Sequence, residues 1–265
     1  MPTPPDLVLR DAAPTDIDAI TRIVASGPDA AADWTFPGLR QRAEEARPLH
    51  VRAFTRVFKN RQNLLRVAER EGKVVGYCAW VKRQLLGEEV VAVDLTDGYD
   101  EQALDAESLR LSGSDPLPKF TTLMPSHPTR SPAIALLRAN QSPEPCLSLP
   151  SYQLLVLGVS EPLQGQGIGG ALIREGLALG AQHSLPVFVT GEGRGMRVYR
   201  HLGFQVLEGT WHGFDADGKQ TEREEDAREE KGGLDAAQMV WVPDGQSVVV
   251  KGVVYYGKEV DAASK

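Results

Sequence analysis

The chain has few of the residues that build covalent or metal-held frameworks. Cys78 and Cys146 are its only two cysteines in 265 residues, and it has five histidines. Two thiols cannot make a disulfide framework or a cysteine-rich zinc site, and no cluster has metal-ligand spacing, so no metal is expected. Sparing cysteine use predicts a reducing compartment, the cytoplasm. Cys78 lies in an apolar run and reads as a buried core thiol. No apolar stretch approaches the roughly 20 residues that span a bilayer. The start, Met1-Pro2-Thr3-Pro4-Pro5, lacks the charged-then-apolar order of an export signal, so no membrane partner is expected. Positive charge is also in deficit. With 29 basic against 36 acidic residues, the net charge of -7 argues against nucleic acid as a partner.

The remaining composition is that of a globular protein: 42% hydrophobic and 25% charged residues, enough to bury a substantial core. A single domain over 1–265 is expected. Leu7-Val8-Leu9-Arg10 reads as a first strand. Thr15 or Asp16 can cap a helix carrying Ile17, Ile20, Ile23 and Val24. A second helix is expected over Leu49–Arg61, then a hairpin of Leu64–Glu69 and Val74–Lys82 around Glu71-Gly72-Lys73. From about 84 to 150 the chain is polar and proline-punctuated and reads as a long insertion, with helices plausible near 101–111 and 133–139. Regular patterning returns at Tyr152. The order is strand, helix (Gly167 to about His183), strand (Val187–Val189), helix (about Gly193–Leu202) and strand (Phe204–Glu208). About 212–237 is charge-dense and reads as a solvated loop. Gln238–Val242 reads as a further strand, and Ser247–Tyr255 is β-prone.

The chemistry concentrates between Tyr152 and Phe204. An apolar run, Leu154-Leu155-Val156-Leu157-Gly158-Val159, leads through a short turn to Gln164-Gly165-Gln166-Gly167-Ile168-Gly169-Gly170 and a helix. Glycines opening a helix present unpaired N–H groups at a positive dipole end, which suits phosphate. Gly165-x-Gly167-x-x-Gly170 satisfies the dinucleotide fingerprint, with Glu192 about where a ribose-binding acid would fall. That fingerprint follows its strand at once, whereas Ser160–Gln164 intervenes here and little chain remains for further βαβ units. A Walker A loop is excluded, because no Gly-Lys-Ser/Thr closes the turn. The glycines could also simply make a tight turn.

The frame Gln164-x-x-Gly167-x-Gly169 resembles the acyl-CoA motif of the GNAT superfamily of N-acetyltransferases, Arg/Gln-x-x-Gly-x-Gly/Ala. Tyr199-x-x-x-Gly203-Phe204 is similar to that superfamily's Tyr-x-x-x-Gly-Phe ending. The likeness is close over 152–208, looser over 7–82 and absent from 84–150 and 210–237. It implies an α/β (α+β) fold, with a mixed, mostly antiparallel central sheet flanked by helices. It also implies transfer of an acetyl group from acetyl-CoA, as cosubstrate, to an amine. The N–H groups of Gln164, Gly165, Gln166, Gly167, Ile168, Gly169 and Gly170 would hold the pyrophosphate. Leu157, Gly158 and Val159 would pair with the pantetheine arm, Gly158 fitting a bulge. Tyr199 would donate a hydrogen bond or a proton to the departing thiolate. Its other reading is a core tyrosine beside Phe204.

The acceptor amine must be neutral to attack, and at pH 7 deprotonating an amine of pKa about 10.4 costs roughly 4–5 kcal/mol. Tyr152–Val159 carries no carboxylate. Glu192, where many relatives have Asn, is the leading base or amine-binding residue, with Glu161 and Asp94 behind it. His183, His201 and His212 read as surface residues. The acceptor is expected to be a small molecule or peptide, with the protein a monomer or homodimer. A catalytically degenerate, CoA-binding module of the same fold is the second reading.

Overall fold

Which face of each strand is apolar decides how the sheet is covered. The protein is described by a computed structural model at residues 4, 6–26, 47, 50–51, 54–55, 57–60, 63–83, 85–86, 89–90, 149–215, 219–222 and 233–257. The strands are β1 (Leu7–Asp11), β2 (Asn63–Arg70), β3 (Lys73–Arg83), β4 (Leu85–Leu86), β5 (Glu89–Val90), β6 (Ser151–Val159) and β7 (Val187–Glu192). They continue as β8 (Gln205–Val206), β9 (His212–Phe214), β10 (Gln220–Thr221), β11 (Leu234–Trp241), β12 (Ser247–Val250) and β13 (Val253–Tyr256). The helices α1 (Ile17–Ser26), α2 (Ile168–His183) and α3 (Gly193–His201) accompany them. The main sheet runs β1-β2-β3-β6-β7-β11-β9-β10, with β8 also on β11. Among the described residues its one parallel pairing is β6 with β7, so the sheet is mixed and mostly antiparallel. β4–β5 and β12–β13 are separate two-stranded ladders.

Alternation along β3 splits the core in two. Tyr77 and Ala79 join Ile20 and Ile23 of α1, together with Phe54, Leu65 and Val67, on one face. Cys78 and Trp80 point the other way, to Ile168, Leu172 and Ile173 of α2 and to Met196 and Tyr199 of α3. His50, Val51, Phe54, Thr55, Val57, Phe58 and Lys59 are helical, as expected over 49–61. Helix α2 sits close because position 176 has no side chain: a Cβ there would fall 2.2 Å from Trp80 Cζ2. Arg66 on β2 grips the same helix, its Nε donating to Glu175 Oε2 at 3.1 Å and its Nη2 to Glu175 Oε1 at 2.6 Å.

Four expectations need correction. The stretch expected as a charged loop at 212–237 contains β9, β10 and the first half of β11, where Ala236 and Ala237 pair with Glu192 and Gly191 of β7. Strand β7 runs on past Val189 to Glu192. Asp16 does not cap α1 from outside. It is buried in a 3-10 turn, where its Oδ2 accepts from the Ala13 N–H at 2.7 Å and from Arg10 Nη1 at 2.7 Å. Gly158 is not a bulge. The ladder between β3 and β6 shifts between Ala79–Val156 and Trp80–Leu154, which makes Leu155 the extra residue. Gly158 is needed instead for space, since a Cβ there would lie 2.4 Å from Tyr77 Cε1. The helices expected near 101–111 and 133–139, with most of the 84–150 insertion, lie outside the described residues.

Replacing Gly176 by Ala should lower stability despite alanine's advantage of about 1 kcal/mol in a helix, because overpacking against Trp80 costs about 1–3 kcal/mol. Urea unfolding measures it, and an equal or higher midpoint would show that the indole yields. Arg10 holds the Asp16 carboxyl below its ordinary range, chiefly through their hydrogen bond. A depressed folded-state value gives stability that is present above an unfolded pKa of about 3.9 and lost as pH falls below it. Unfolding followed from pH 7 to 3 should therefore show a smaller acid loss in Asp16→Asn than in the parent chain.

Candidate functional site

Strand β6 pairs with β3 from Ser151 to Val159, and β7 pairs with β11 from Val187 to Glu192. Between themselves β6 and β7 share three pairs only: Tyr152–Val187, Gln153–Phe188 and Leu154–Val189. Beyond Leu154 and Val189 the two strands part. Leu157, Gly158 and Val159 lie on the opened length of β6, opposite Cys78, Tyr77 and Gly76 of β3. The edge they turn toward β7 is a strand edge without a strand partner among the described residues.

The glycine turn closes the open end of β6. Ser160 donates its N–H to Val75 O at 2.9 Å, and Glu161–Leu163 forms a 3-10 turn. Gly165 and Gly167 then take φ values of +77 and +84, a region that side chains other than glycine enter at a cost. Gly167 is the N-cap of α2, and its carbonyl accepts from the Ala171 N–H at 3.0 Å. The N–H groups of Ile168, Gly169 and Gly170 precede that first helical bond, and no acidic residue occupies the first turn. Gly169 is helical, and a Cβ there would have ordinary room at 3.6 Å from Val159 Cγ2, so backbone geometry does not require glycine at that position. The Gln164 side-chain amide donates to Val159 O at 3.2 Å.

Helix α3 starts directly after β7, with Glu192 as its N-cap residue. Tyr199 is only 6% exposed and packs edge-on against Phe204, with ring centroids 5.5 Å apart. These contacts are those of the core reading, a tyrosine packed beside Phe204. Long helical side chains lean toward the helix N-terminus. The Tyr199 hydroxyl accordingly reaches back to Gly195, 4.0 Å from where a Cβ would stand, at the level of the Glu192 end of α3. Burial, then the Glu192 charge, then Cys78 push the phenol above its ordinary value, so it is protonated at neutral pH. Gly203, at φ +90, and buried Phe204 close the helix as expected.

The fold has counterparts among solved structures. The structure titled histone acetyltransferase HPA2 and related acetyltransferase from Corynebacterium glutamicum matches at TM-score 0.51 and 16% identity, over 92% of this chain and 99% of that one. The chain has the GNAT fold. Mosquito arylalkylamine N-acetyltransferase like 5b (TM-score 0.47, 13% identity, 89% of this chain and 99% of that one) is among the further similar structures. Another is the ribosomal-protein-S18-alanine N-acetyltransferase of Escherichia coli (TM-score 0.44, 11% identity, 94% and 99%). No family model and no curated protein matches the sequence.

Within the GNAT frame the expected residues fall at three places: Leu157–Val159 on the open edge, Gln164–Gly170 at the turn, and Glu192 with Tyr199 along α3. Glu161 is exposed in the 3-10 turn, and Asp94 lies outside the described residues. His183 and His201 are exposed, while His212 is half-buried on β9. Among the described residues no His/Cys/Asp/Glu group could hold a metal, and no helix is long and apolar enough to cross a membrane. Sequence reading missed Arg70, whose Nη1 donates to Gln166 Oε1 at 2.9 Å across 96 residues of chain. Removing the Glu192 charge should stabilise the phenolate, so Glu192→Gln is expected to lower the Tyr199 pKa. Ultraviolet titration, referenced to Tyr199→Phe, reads it, and an unmoved or raised value would show that the carboxylate does not face the phenol.

Proposed function

We propose that the protein transfers an acetyl group from acetyl-CoA directly to the amine of a small molecule or peptide. The observation that carries this is the opening of β6 from β7 with the glycine turn at one end and the Tyr199 hydroxyl reaching back along α3. The site fits such a ligand: two positive-φ glycines, helix N–H groups without helical partners and no first-turn acid suit a pyrophosphate. Bound there, acetyl-CoA would supply an activated acyl group and a thiolate leaving group.

The chain's own residues divide the remaining work. The edge of Leu157–Val159 can pair with an extended amide-bearing arm as an added strand does. For Val159 O to take part, the Gln164 amide must swing away, and it could then donate to a phosphate. Tyr199, kept protonated by burial, can give its proton to the departing sulfur. Glu192 can hold the incoming ammonium or take the proton that it loses. Cys78 is buried, with its thiol pushed up to about 12, chiefly by desolvation. A thiol protonated at neutral pH is a poor nucleophile, which supports direct transfer without a covalent enzyme intermediate. The net charge of -7 favours a cationic acceptor, and the sparse cysteines favour the cytoplasm.

Calorimetry with CoA and acetyl-CoA tests the donor, and absence of heat with both sinks the proposal. With an accepted amine in hand, Tyr199→Phe should lower kcat about 100-fold and leave CoA affinity within about twofold. Unchanged kcat would remove the acid role. Binding of CoA with no transfer to any of a panel of amines would favour the degenerate, CoA-binding reading.

A further inference from the structure

We propose that Arg70 and Arg174 supply the positive charge of the phosphate site and contact phosphate oxygens of the ligand held at the glycine turn. The proposal rests on the acyl-CoA reading above. Residues 160–170 contain no lysine or arginine, and their one charged side chain is Glu161. The turn must nevertheless meet a pyrophosphate and a 3′-phosphate, and a helix N-terminus is equivalent to only about half a positive charge. Balancing cations have to come from other elements.

Two guanidinium groups stand there. Arg70 ends β2, with its Nε donating to Asp6 Oδ2 at 2.5 Å and its Nη1 to Gln166 Oε1 at 2.9 Å. Gln166 is the exposed residue between the two positive-φ glycines, so Arg70 is fastened to the rim of the turn. These bonds use two of its five N–H groups and leave Nη2 to donate to a phosphate. The Arg70–Asp6 pair alone would be an ordinary surface ion pair of little energetic weight. The bond to Gln166 is what ties the cation to the site.

Arg174 approaches from the helix. Its Nη1 lies 3.5 Å from where a Cβ on Gly170 would stand, so the side chain folds back one turn toward the N-terminus of α2. A cation there is repelled by the positive end of the helix dipole, and no acidic residue in the first turn offsets this. Two guanidiniums and a set of unpaired N–H groups bordering one turn suit a ligand with several phosphate charges. Gln164, where relatives of this motif can carry arginine, leaves the turn itself uncharged. Arg70 and Arg174 restore that charge from β2 and from within α2.

The test is calorimetric binding of CoA and dephospho-CoA, with pantetheine read by competition, to the full chain. The variants are Arg70→Gln, Arg174→Gln and the double variant, each at low and moderate salt, with thermal unfolding to verify the fold. Each single variant should weaken CoA binding about 10-fold and the double variant about 100-fold, the loss shrinking as salt rises. Pantetheine should bind all four proteins equally. A loss confined to CoA assigns the contact to the 3′-phosphate, and a loss shared by dephospho-CoA assigns it to the pyrophosphate; either supports the proposal. Unchanged CoA affinity in the double variant overturns it. So does an equal loss for pantetheine, which would make the arginines mere supports of the turn. Failure of the parent chain to bind CoA would instead overturn the acyl-CoA reading itself.

Discussion

The site depends on where two adjacent strands stop sharing hydrogen bonds. Strand β6 is committed to β3 along its whole length and β7 to β11 along its whole length, yet only three pairs join β6 to β7. The bulge at Leu155 falls at the end of that three-pair seam. An inserted residue bends a strand and increases its twist, so the place where β6 leaves β7 and the place where its ladder slips coincide. The bulge also changes which residues face the helices. Tyr152 and Leu154 pack toward α2 before it and Leu157 and Val159 after it, so the apolar face survives the bend. An opening made in this way leaves a row of backbone groups on β6 with no strand beside them, and such a row either meets water or receives an extended ligand.

Core packing then carries this geometry to the turn. The N-terminus of α2 is fixed by where the helix body lies, and the body is fixed by Trp80 against Gly176 and by the two-pronged Arg66–Glu175 contact. Ile168, the first residue of the helix, is buried, so the N–H groups at its start are anchored by an apolar side chain. Tyr199 is located in the same manner. Close approaches at Gly191 and Gly195 receive its ring, and Phe204 closes the third side. The N–H groups opening α2 and the Tyr199 ring are thus both set by apolar contacts on one face of the sheet.

Local chemistry was legible in the sequence and pairing across the chain was not. The glycine turn, α2, α3 and the Tyr199–Phe204 closure depend on residues a few positions apart, and they stand where the sequence puts them. The run Leu154–Val159 is apolar or glycine throughout, so no alternation shows which residue faces which helix, and the bulge expected at Gly158 lies at Leu155. Strand β11 begins four residues before the expected Gln238, because Leu234–Ala237 borders a charge-dense stretch and only pairing with β7 and β9 makes it a strand. Asp16 was expected to cap α1 from its own sequence neighbourhood, but it bonds to Arg10 of β1, which Glu69 of β2 holds as well. Arg70 carried no signal at all: its partner, Gln166, lies on another element, and the register Leu7–Arg70 that places it belongs to the fold.

The charges around the slot bear on how the chemistry divides. Tyr199 and Cys78 are both driven toward their neutral forms by burial, so neither supplies a nucleophile and the phenol keeps its proton as a hydrogen-bond donor. Negative charge beside Tyr199 comes from Glu192, and beside Cys78 from Glu175, each adding to the upward pressure. The Glu192 carboxylate stands at the N-cap of α3, and a charged carboxylate there would be better at gathering an ammonium than at stripping it of a proton. The free amine would then arise by loss of a proton to water as the acceptor enters. Under the proposed transfer, Tyr199 and Glu192 would serve its opposite ends, a hydrogen-bond donor for the leaving sulfur and a carboxylate for the arriving nitrogen.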